Sequence, residues 1–307
     1  MKVLTVATRA GKLAVAQTEI VCSLLKEIHP DIQLEIKQIT TAGDRDRRTA
    51  LWDLKDTGFF TSALEDTLLA GRADFAVHSF KDLPTRQRDG LTIAAVCDRQ
   101  YAQDCLIAAV SVTSIERFPH AAKIGTSSLR RAAQLKYLRP DLVPTAVRGN
   151  VLTRIRKLKE ETFDAVILAR AGIERLGLGD KISFSFDPAE FIPAPAQGAL
   201  AVQTRTDDSR TNSLIAAIDD EKIRTETFAE RKILMTMRCG CHAPVGAFAK
   251  ISGNNIEITA FISDLQGENF IRRQITGRFE DAQSLAEKLA SDLLASGGKK
   301  ILESLEK

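Results

Sequence analysis

Between Arg238 and Gly246 the chain reads RCGCHAPVG, which places two thiols and an imidazole within four positions. Such groups can ligate a metal, close a disulfide, anchor a haem or carry a covalent group. Haem attachment needs C-x-x-C-H, and the spacing here is one residue short. A tetrahedral zinc site needs further ligands, yet His29, His78, His120 and the remaining cysteines form no second cluster with finger-like spacing; no metal is expected. A bridge between Cys239 and Cys241 would close a very tight ring. What remains is a thiol on a loop bounded by Gly240, Pro244 and Gly246, able to act as a nucleophile and keep the group it captures. Two inert cysteines are the bland alternative.

A second group of residues points to acid chemistry and anion recognition. In DFAVHSFKDLP (74–84) an apolar strand delivers Lys81 and Asp82 to its end, where open α/β sheets bind ligands. A carboxylate there can stabilise developing positive charge or exchange a proton; a turn carboxylate ahead of Pro84 is the plain reading. KIGTSSLRRAAQL (123–135) reads as strand, hydroxyl-rich turn and helix, so free backbone N–H groups open the helix. Arg130 and Arg131 fall in its opening turns, where cations oppose the helix dipole, a placement that hints at an anionic ligand. Arg9 ends the first strand, Arg148 ends another, Arg154 lies on the next helix and Arg175 follows a strand and short helix. Guanidinium groups fix carboxylates through paired, planar hydrogen bonds. Any one of these could be a solvated arginine; together they favour a small polyanion.

The elements that must position these groups alternate from the start. KVLTVAT (2–8), an amphipathic segment over 13–28 and QLEIKQIT (33–40) give the order βαβ. The charged stretch 41–60 lacks periodicity and is expected to be a long functional loop. A helix near 61–71 and a strand at 74–79 follow. A second alternating set starts after about residue 98, with strands in CLIAAV, AKIGTSS, LVPTAV and FDAVILA and helices ending at Leu138 and spanning 150–160. Pro193, Pro195 and Gly198 then mark a crossing before a new apolar run. Past a polar linker near 217–221, a helix leads into RCGCHAPVG. Strands near 245–251, 255–263 and 269–276 and a helix over 280–295 complete a small α+β unit. Two such β/α sets imply two doubly wound domains facing a cleft.

With 307 residues, two or three domains are expected. A composition of 44% hydrophobic and 27% charged residues reads as a soluble globular protein. The net charge of +3 is spread among 40 acidic residues, which gives no nucleic-acid footprint. Arg9, Lys12 and Glu19 break the short apolar run at the N-terminus, and no other stretch is long and apolar enough to span a bilayer. Neither a nucleic-acid nor a membrane partner is expected, and the expected location is the cytoplasm. Five cysteines, an odd number, argue against a disulfide framework there.

The segments ATR (7–9), GD (43–44), ADFAVHSFKDLP, GTSSLRR, RPDL, RGNVLTR, LARAGIERLGL, AQGALAV, DDSRT and GCHAPVG occur in this order over residues 7–246. In them the chain resembles the porphobilinogen deaminase family, also called hydroxymethylbilane synthases. The resemblance implies a transferase that condenses four porphobilinogen molecules head to tail, with loss of ammonia, into the linear tetrapyrrole hydroxymethylbilane. It implies a dipyrromethane cofactor, held by a thioether to Cys241, as primer. Loss of ammonia from an aminomethyl pyrrole leaves an electron-poor azafulvenium, and Asp82 matches the family's catalytic aspartate.

By the same resemblance, Ser79, Lys81, Asp82, Thr126, Ser127, Ser128, Arg130, Arg131, Arg148 and Gln197 hold the cofactor with Cys241. Arg9, Gln17, Phe60, Arg148, Arg154 and Arg175 serve the substrate, Phe60 by stacking on a ring. The implied architecture, similar to periplasmic binding proteins, is a monomer of three domains: 1–98 with 197–217, 99–196, and 218–307. The chain departs from the family pattern at Gly11 and Lys12, in the loop at Thr57, Ser62 and Ala63, and at Ala196, where a glycine is usual. Two other readings stand beside this one: a non-catalytic anion-binding protein, and a paralogue that loads cofactor but turns over poorly.

Overall fold

A computed structural model describes residues 3–41, 61–160, 163–240 and 243–305. In chain order the elements of the first part are β1 (Leu4–Arg9), α1 (Lys12–Ile28), β2 (Leu34–Ile39), α2 (Ser62–Leu69), β3 (Phe75–Ser79) and β4 (Leu91–Cys97). There follow β5 (Asp104–Ala108), β6 (Lys123–Gly125), α3 (Leu129–Leu138), β7 (Val143–Thr145), α4 (Val151–Glu160), β8 (Ala165–Ala169), α5 (Arg170–Glu174) and β9 (Phe184–Ser185). The remainder comprises β10 (Leu200–Arg205), α6 (Ser209–Ala216), α7 (Glu221–Met237), β11 (Val245–Ser252), β12 (Asn255–Ile262), β13 (Ile271–Arg278), α8 (Ala282–Leu293) and α9 (Lys299–Leu305). The long loop expected over 41–60 falls, but for its first residue, outside the described residues.

The described parts of 1–100 and 197–224 form one compact unit. Its sheet runs β2-β1-β3-β10-β4, with β1, β2 and β3 parallel and β10 antiparallel to both its neighbours. Alternation along the strands sorts side chains to two faces. Leu4, Val6, Phe75, Val77, Leu200 and Val202 turn to one face, where they meet Val21 and Leu25 of α1 and Ile215 of α6. Ala7 and Ala76 turn to the other, and their small size lets Leu64 and Leu68 of α2 approach closely. Helix α1 buries Gln17, Thr18, Val21, Cys22 and Leu25, one stripe at helical spacing. Helix α6, which the sequence reading did not identify, starts at Asp208, whose carboxylate accepts the Thr211 N–H at 3.0 Å.

The second unit comprises the described parts of 101–196 and 225–307. Its five-stranded sheet, β7-β6-β8-β5-β9, repeats the pattern of the first: β6, β7 and β8 are parallel and β5 is antiparallel. Leu106, Ile124, Leu135 and Ile167 fill one face, and Cys105, Leu158, Val166 and Ile173 the other. A separate antiparallel sheet, β11-β12-β13, forms the small C-terminal domain and packs Ile256, Ile258 and Val245 against Ile233 of α7 and Leu289 and Leu293 of α8. The fold is thus mixed α/β, with two sheet-containing domains and a small C-terminal one. No helix among the described residues is long and apolar enough to cross a membrane.

Strand β11 is an edge, and exposed edge N–H groups invite unwanted pairing. Here they are taken up within the unit. The Ala247 N–H donates to the Pro193 carbonyl at 3.1 Å, that of Ala249 to Glu230 Oε1 at 2.8 Å, and that of Ile251 to Glu226 Oε1 at 2.8 Å. Glu226 and Glu230 are one turn apart on α7, so they match alternate residues of the strand. The other oxygen of Glu230 accepts the Ala196 N–H at 2.6 Å. Ala196 lies at φ +62, the left-handed region where a glycine is at ease and an alanine is not. The buried carboxylate is what holds that peptide in place.

Replacing Glu230 with leucine would strand two buried N–H groups, each costing about 1 to 3 kcal/mol. The Glu230→Leu chain is therefore expected to lose about 3 kcal/mol of unfolding free energy in urea denaturation; a loss below about 1 kcal/mol would show that the carboxylate does not hold Ala196 and β11.

Candidate active site

In the first unit the site is built at the C-terminal ends of β1 and β3. Strand β3 ends at Ser79 and passes directly into a 3₁₀ turn, Phe80–Asp82. Phe80 is fully buried, and its N–H donates to the Ala199 carbonyl at 3.0 Å. With that anchor sunk in the core, the turn has one way to face, leaving Lys81 half-buried and Asp82 exposed. Lys81 Nζ donates to Gln197 Oε1 at 3.2 Å, and Arg99 Nε to the Gln197 carbonyl at 3.2 Å. Gln197, fully buried, is thereby fixed at both ends. Gln17, on the buried face of α1, donates from Nε2 to Ser79 Oγ at 2.9 Å. The structure thus brings Gln17 to Ser79 and Lys81 to Gln197, beside Asp82. Arg9 lies half-buried at the end of β1, next to buried His78, and is the minor of the two influences lowering that imidazole's pKa; the larger is burial.

In the second unit the chemistry is cationic. Strand β6 ends at Gly125, and the Thr126–Ser128 turn opens α3. Ser128 is the N-cap, its Oγ accepting the Arg131 N–H at 3.4 Å, while Thr126 Oγ1 accepts the Ser128 N–H at 3.2 Å. Ser127 Oγ donates to the Val147 carbonyl at 2.5 Å, tying this turn to the segment that carries Arg148. All three hydroxyls are committed to the backbone geometry of the turn.

Arg130 and Arg131 are 5% and 6% exposed, and both point at one carboxylate, Asp104, at the start of β5. Arg130 reaches Asp104 Oδ2 at 2.7 Å and the Ile192 carbonyl at 2.7 Å. Arg131 grips Oδ1 with Nε at 3.0 Å and Nη2 at 2.7 Å, and donates from Nη1 to the Ile167 carbonyl at 3.2 Å. The cations at this helix start were read from the sequence as a sign of an anionic ligand. Their immediate anion is internal, and the reason is physical: two adjacent arginines buried at the positive end of a helix require a counter-charge within the fold.

Two arginines sharing one carboxylate leave a positive excess, and two more lie near. Arg154 donates from Nε to the Gly149 carbonyl at 2.8 Å. Burial, then Arg131 and Arg148, draw its pKa down to about 10. Among the described residues no carboxylate opposes that shift. Arg148 is half-buried after Val147, and Arg175 is half-buried as the C-cap of α5. Arg131 and Arg148 are thus each close enough to act on the Arg154 guanidinium.

Cys241 and Phe60 lie outside the described residues. Cys239 is 8% exposed and belongs to the core of the C-terminal domain with Ile233, Met237 and Val245. Cys22, Cys97 and Cys105 are also buried thiols, and burial pushes Cys22 up to about 11 and Cys105 up to about 12. Such groups are poor nucleophiles. Among the described residues no cluster of three or more His, Cys, Asp or Glu is placed to hold a metal.

Asp104 escaped the sequence reading because a carboxylate heading an apolar run looks like any turn residue. Its removal gives a direct test. Breaking a buried pair from one side costs about 3 to 5 kcal/mol, so Asp104→Asn is expected to lower the unfolding free energy by that amount in urea; a loss under about 1 kcal/mol would mean that Arg130 and Arg131 are balanced by something else.

Comparison with known proteins bears on what these two sets of groups do. Residues 4–213 match the family described as porphobilinogen deaminase, dipyromethane cofactor binding domain, and residues 224–295 match the porphobilinogen deaminase C-terminal domain. A porphobilinogen deaminase of Campylobacter curvus is 40% identical over 308 residues, covering 100% of this chain and 98% of the relative. That of Roseiflexus castenholzii is 40% identical over 97% of this chain and 98% of its own length. Among solved structures, the methionine binding protein MetQ aligns over 72% of this chain and 91% of its own, at 11% identity and a TM-score of 0.45. A putative periplasmic sulfonate-binding protein, SsuA from Methylobacillus flagellatus, aligns over 71% of this chain and 66% of its own, at 15% identity and a TM-score of 0.42. The matches to both family domains and the identity held along the whole length show that this chain belongs to the porphobilinogen deaminase family, transferases of tetrapyrrole synthesis.

Proposed function

We propose that the chain makes hydroxymethylbilane from four molecules of porphobilinogen, with Asp82 as its catalytic carboxylate. The observation that carries this reading is the presentation of Asp82: an exposed carboxylate on a turn that buried Phe80 holds rigid, at the end of a parallel strand. Each condensation breaks the bond between the aminomethyl carbon and its nitrogen and forms a carbon–carbon bond to a pyrrole α-carbon; the proton lost from that carbon balances the one taken up by the departing amine, so ammonia is the net species released. The carboxylate of Asp82 stabilises the positive charge that develops on the substrate's pyrrole as the amine departs. It also takes part in the transfers that protonate the amine and remove the α-carbon proton. Lys81, fixed by Gln197, and Ser79, fixed by Gln17, give that carboxylate polar neighbours.

The residues of the second unit fit the family's dipyrromethane, whose acetate and propionate arms are carboxylates. The observation behind this fit is buried Arg154, held on the Gly149 carbonyl within reach of the charges of Arg131 and Arg148, a setting that bound carboxylates would favour. Arg148 and Arg154 would pair with these arms directly, and Arg130 and Arg131 add positive potential from their buried seats on Asp104. Ser127 and Ser128, with Thr126, shape the turn around that charge. When bound, the cofactor supplies a free pyrrole α-carbon as the nucleophile. Its attachment through a thioether is assigned to Cys241, since Cys239 is packed in a core. Arg9, Gln17 and Arg175 are assigned to substrate carboxylates and Phe60 to a stacking contact. The domains are read as 1–98 with 197–217, 99–196 and 218–307, and the protein as a cytoplasmic monomer with no nucleic-acid or membrane partner.

The test is to follow porphobilinogen consumption and ammonia release together. The two should proceed in equal amounts, with hydroxymethylbilane as product, and Asp82→Asn should lower kcat by about 10²- to 10⁴-fold while leaving the fold intact. A folded Asp82→Asn chain with kcat near that of the parent would remove Asp82 from the mechanism.

A further inference from the structure

Among the described residues, the core of the C-terminal domain is drawn from 229–305 alone. On β12 Ile256, Ile258, Ala260 and Ile262 turn towards that core. Phe261, between two of them, turns to the opposite face of the sheet and is nevertheless fully buried. Its cover is a run of stacked rings. Phe261 lies on Phe270 with ring centroids 4.8 Å apart, and Phe270 lies on Tyr137 of α3 at 4.0 Å, both pairs close to parallel. Aromatic pairs at such separations attract beyond the area they bury.

Around the stack the backbones meet without side chains between them. A Cβ at Gly267 would lie 2.6 Å from the Ala133 carbonyl oxygen and 2.7 Å from the Tyr137 nitrogen of α3. One at Gly246, on β11, would lie 2.9 Å from the carbonyl oxygens of both Ile192 and Pro193. Buried Gln134 of α3 holds that segment from its other side: Nε2 donates to the Ile192 carbonyl at 3.0 Å, and Oε1 accepts the Ile192 N–H at 2.7 Å. Helix α3 is therefore shared. Its first turn carries Arg130 and Arg131, and its later turns, with Ile192 and Pro193, carry the C-terminal domain, whose strand β11 begins shortly after Cys241.

We propose that Phe270, with Gln134, is a positioning residue for the primer: by fastening the C-terminal domain to α3, the two side chains hold the point of attachment and the arginines as one body. The nucleophilic pyrrole carbon is then presented in one place. The proposal rests on the reading of the chain as a hydroxymethylbilane synthase with Cys241 as the attachment residue. Neither side chain touches substrate or cofactor in this role. Their contribution is to orientation, where a displacement of about 1 Å can cost about 100-fold in rate.

Phe270→Ala removes the middle ring at a half-buried position outside the strands, and Phe270→Tyr keeps it. Gln134→Leu removes both bonds to Ile192. Each variant is prepared as the full chain, with cofactor loading read by intact mass and folding by thermal unfolding. Phe270→Ala and Gln134→Leu should each lower kcat per cofactor-loaded chain by about 10- to 100-fold, with KM for porphobilinogen within about twofold. Phe270→Tyr should stay within about twofold of the parent in both constants, because the stack survives. A kcat within about twofold of the parent in Phe270→Ala overturns the proposal whatever Gln134→Leu does, as does an equal loss in Phe270→Tyr. If the parent chain carries no adduct or makes no hydroxymethylbilane, it is the reading of function that fails; if the parent is active and Phe270→Ala keeps its rate, only the positioning role falls.

Discussion

The second unit depends on one buried carboxylate. Asp104 sits between Arg130 and Arg131, and without it two guanidinium groups would be buried side by side at the positive end of α3. Desolvation, mutual repulsion and the helix dipole all oppose that arrangement. Asp104 offsets them and also fixes where α3 begins, and hence where the Thr126–Ser128 turn lies. Because two cations share one anion, a positive excess survives in the folded chain. Arg154 lies beside it, its pKa drawn down by burial and then by Arg131 and Arg148. Under the proposed function, a ligand carrying many carboxylates would meet that charge already in place.

The first unit faces a different problem. The carboxylate proposed as catalytic, Asp82, must stay accessible yet hold its direction, so rigidity comes from what lies behind it. Phe80 and Leu83 in the core, on either side of Asp82, and Gln197 between Lys81 and Arg99 constrain a short exposed turn. In the C-terminal domain Glu226 and Glu230 serve the same economy, capping an edge strand and fixing the strained Ala196 peptide. There a buried polar side chain bonds to backbone, which is what makes its burial tolerable.

Much of this was legible in the sequence, and the failures share a cause. The βαβ openings could be read because β-branched runs and helical stripes are local patterns, as in KVLTVAT and the Gln17, Val21, Leu25 face of α1. The antiparallel place of β10 in the first sheet could not be read, since a strand's own composition does not name its partners. The turn bearing Asp82 was visible as a strand end. The internal partner of Arg130 and Arg131 was not, because Asp104 is 26 residues from Arg130 in sequence and carries no local signal. The hydrogen bond between Gln203 and Glu65, 138 positions apart, was hidden for the same reason. Cys239 and Cys241 looked alike as residues; burial in the C-terminal core marks Cys239 as structural.

The central claim is that this chain works through a covalently held primer at Cys241. The most direct test is the intact mass of the purified protein under denaturing conditions, beside a Cys241→Ser chain made in the same porphobilinogen-producing host. The account predicts an added mass equal to two condensed pyrrole units in the parent and none in the variant. An unmodified parent chain, or the same adduct persisting in Cys241→Ser, would contradict it.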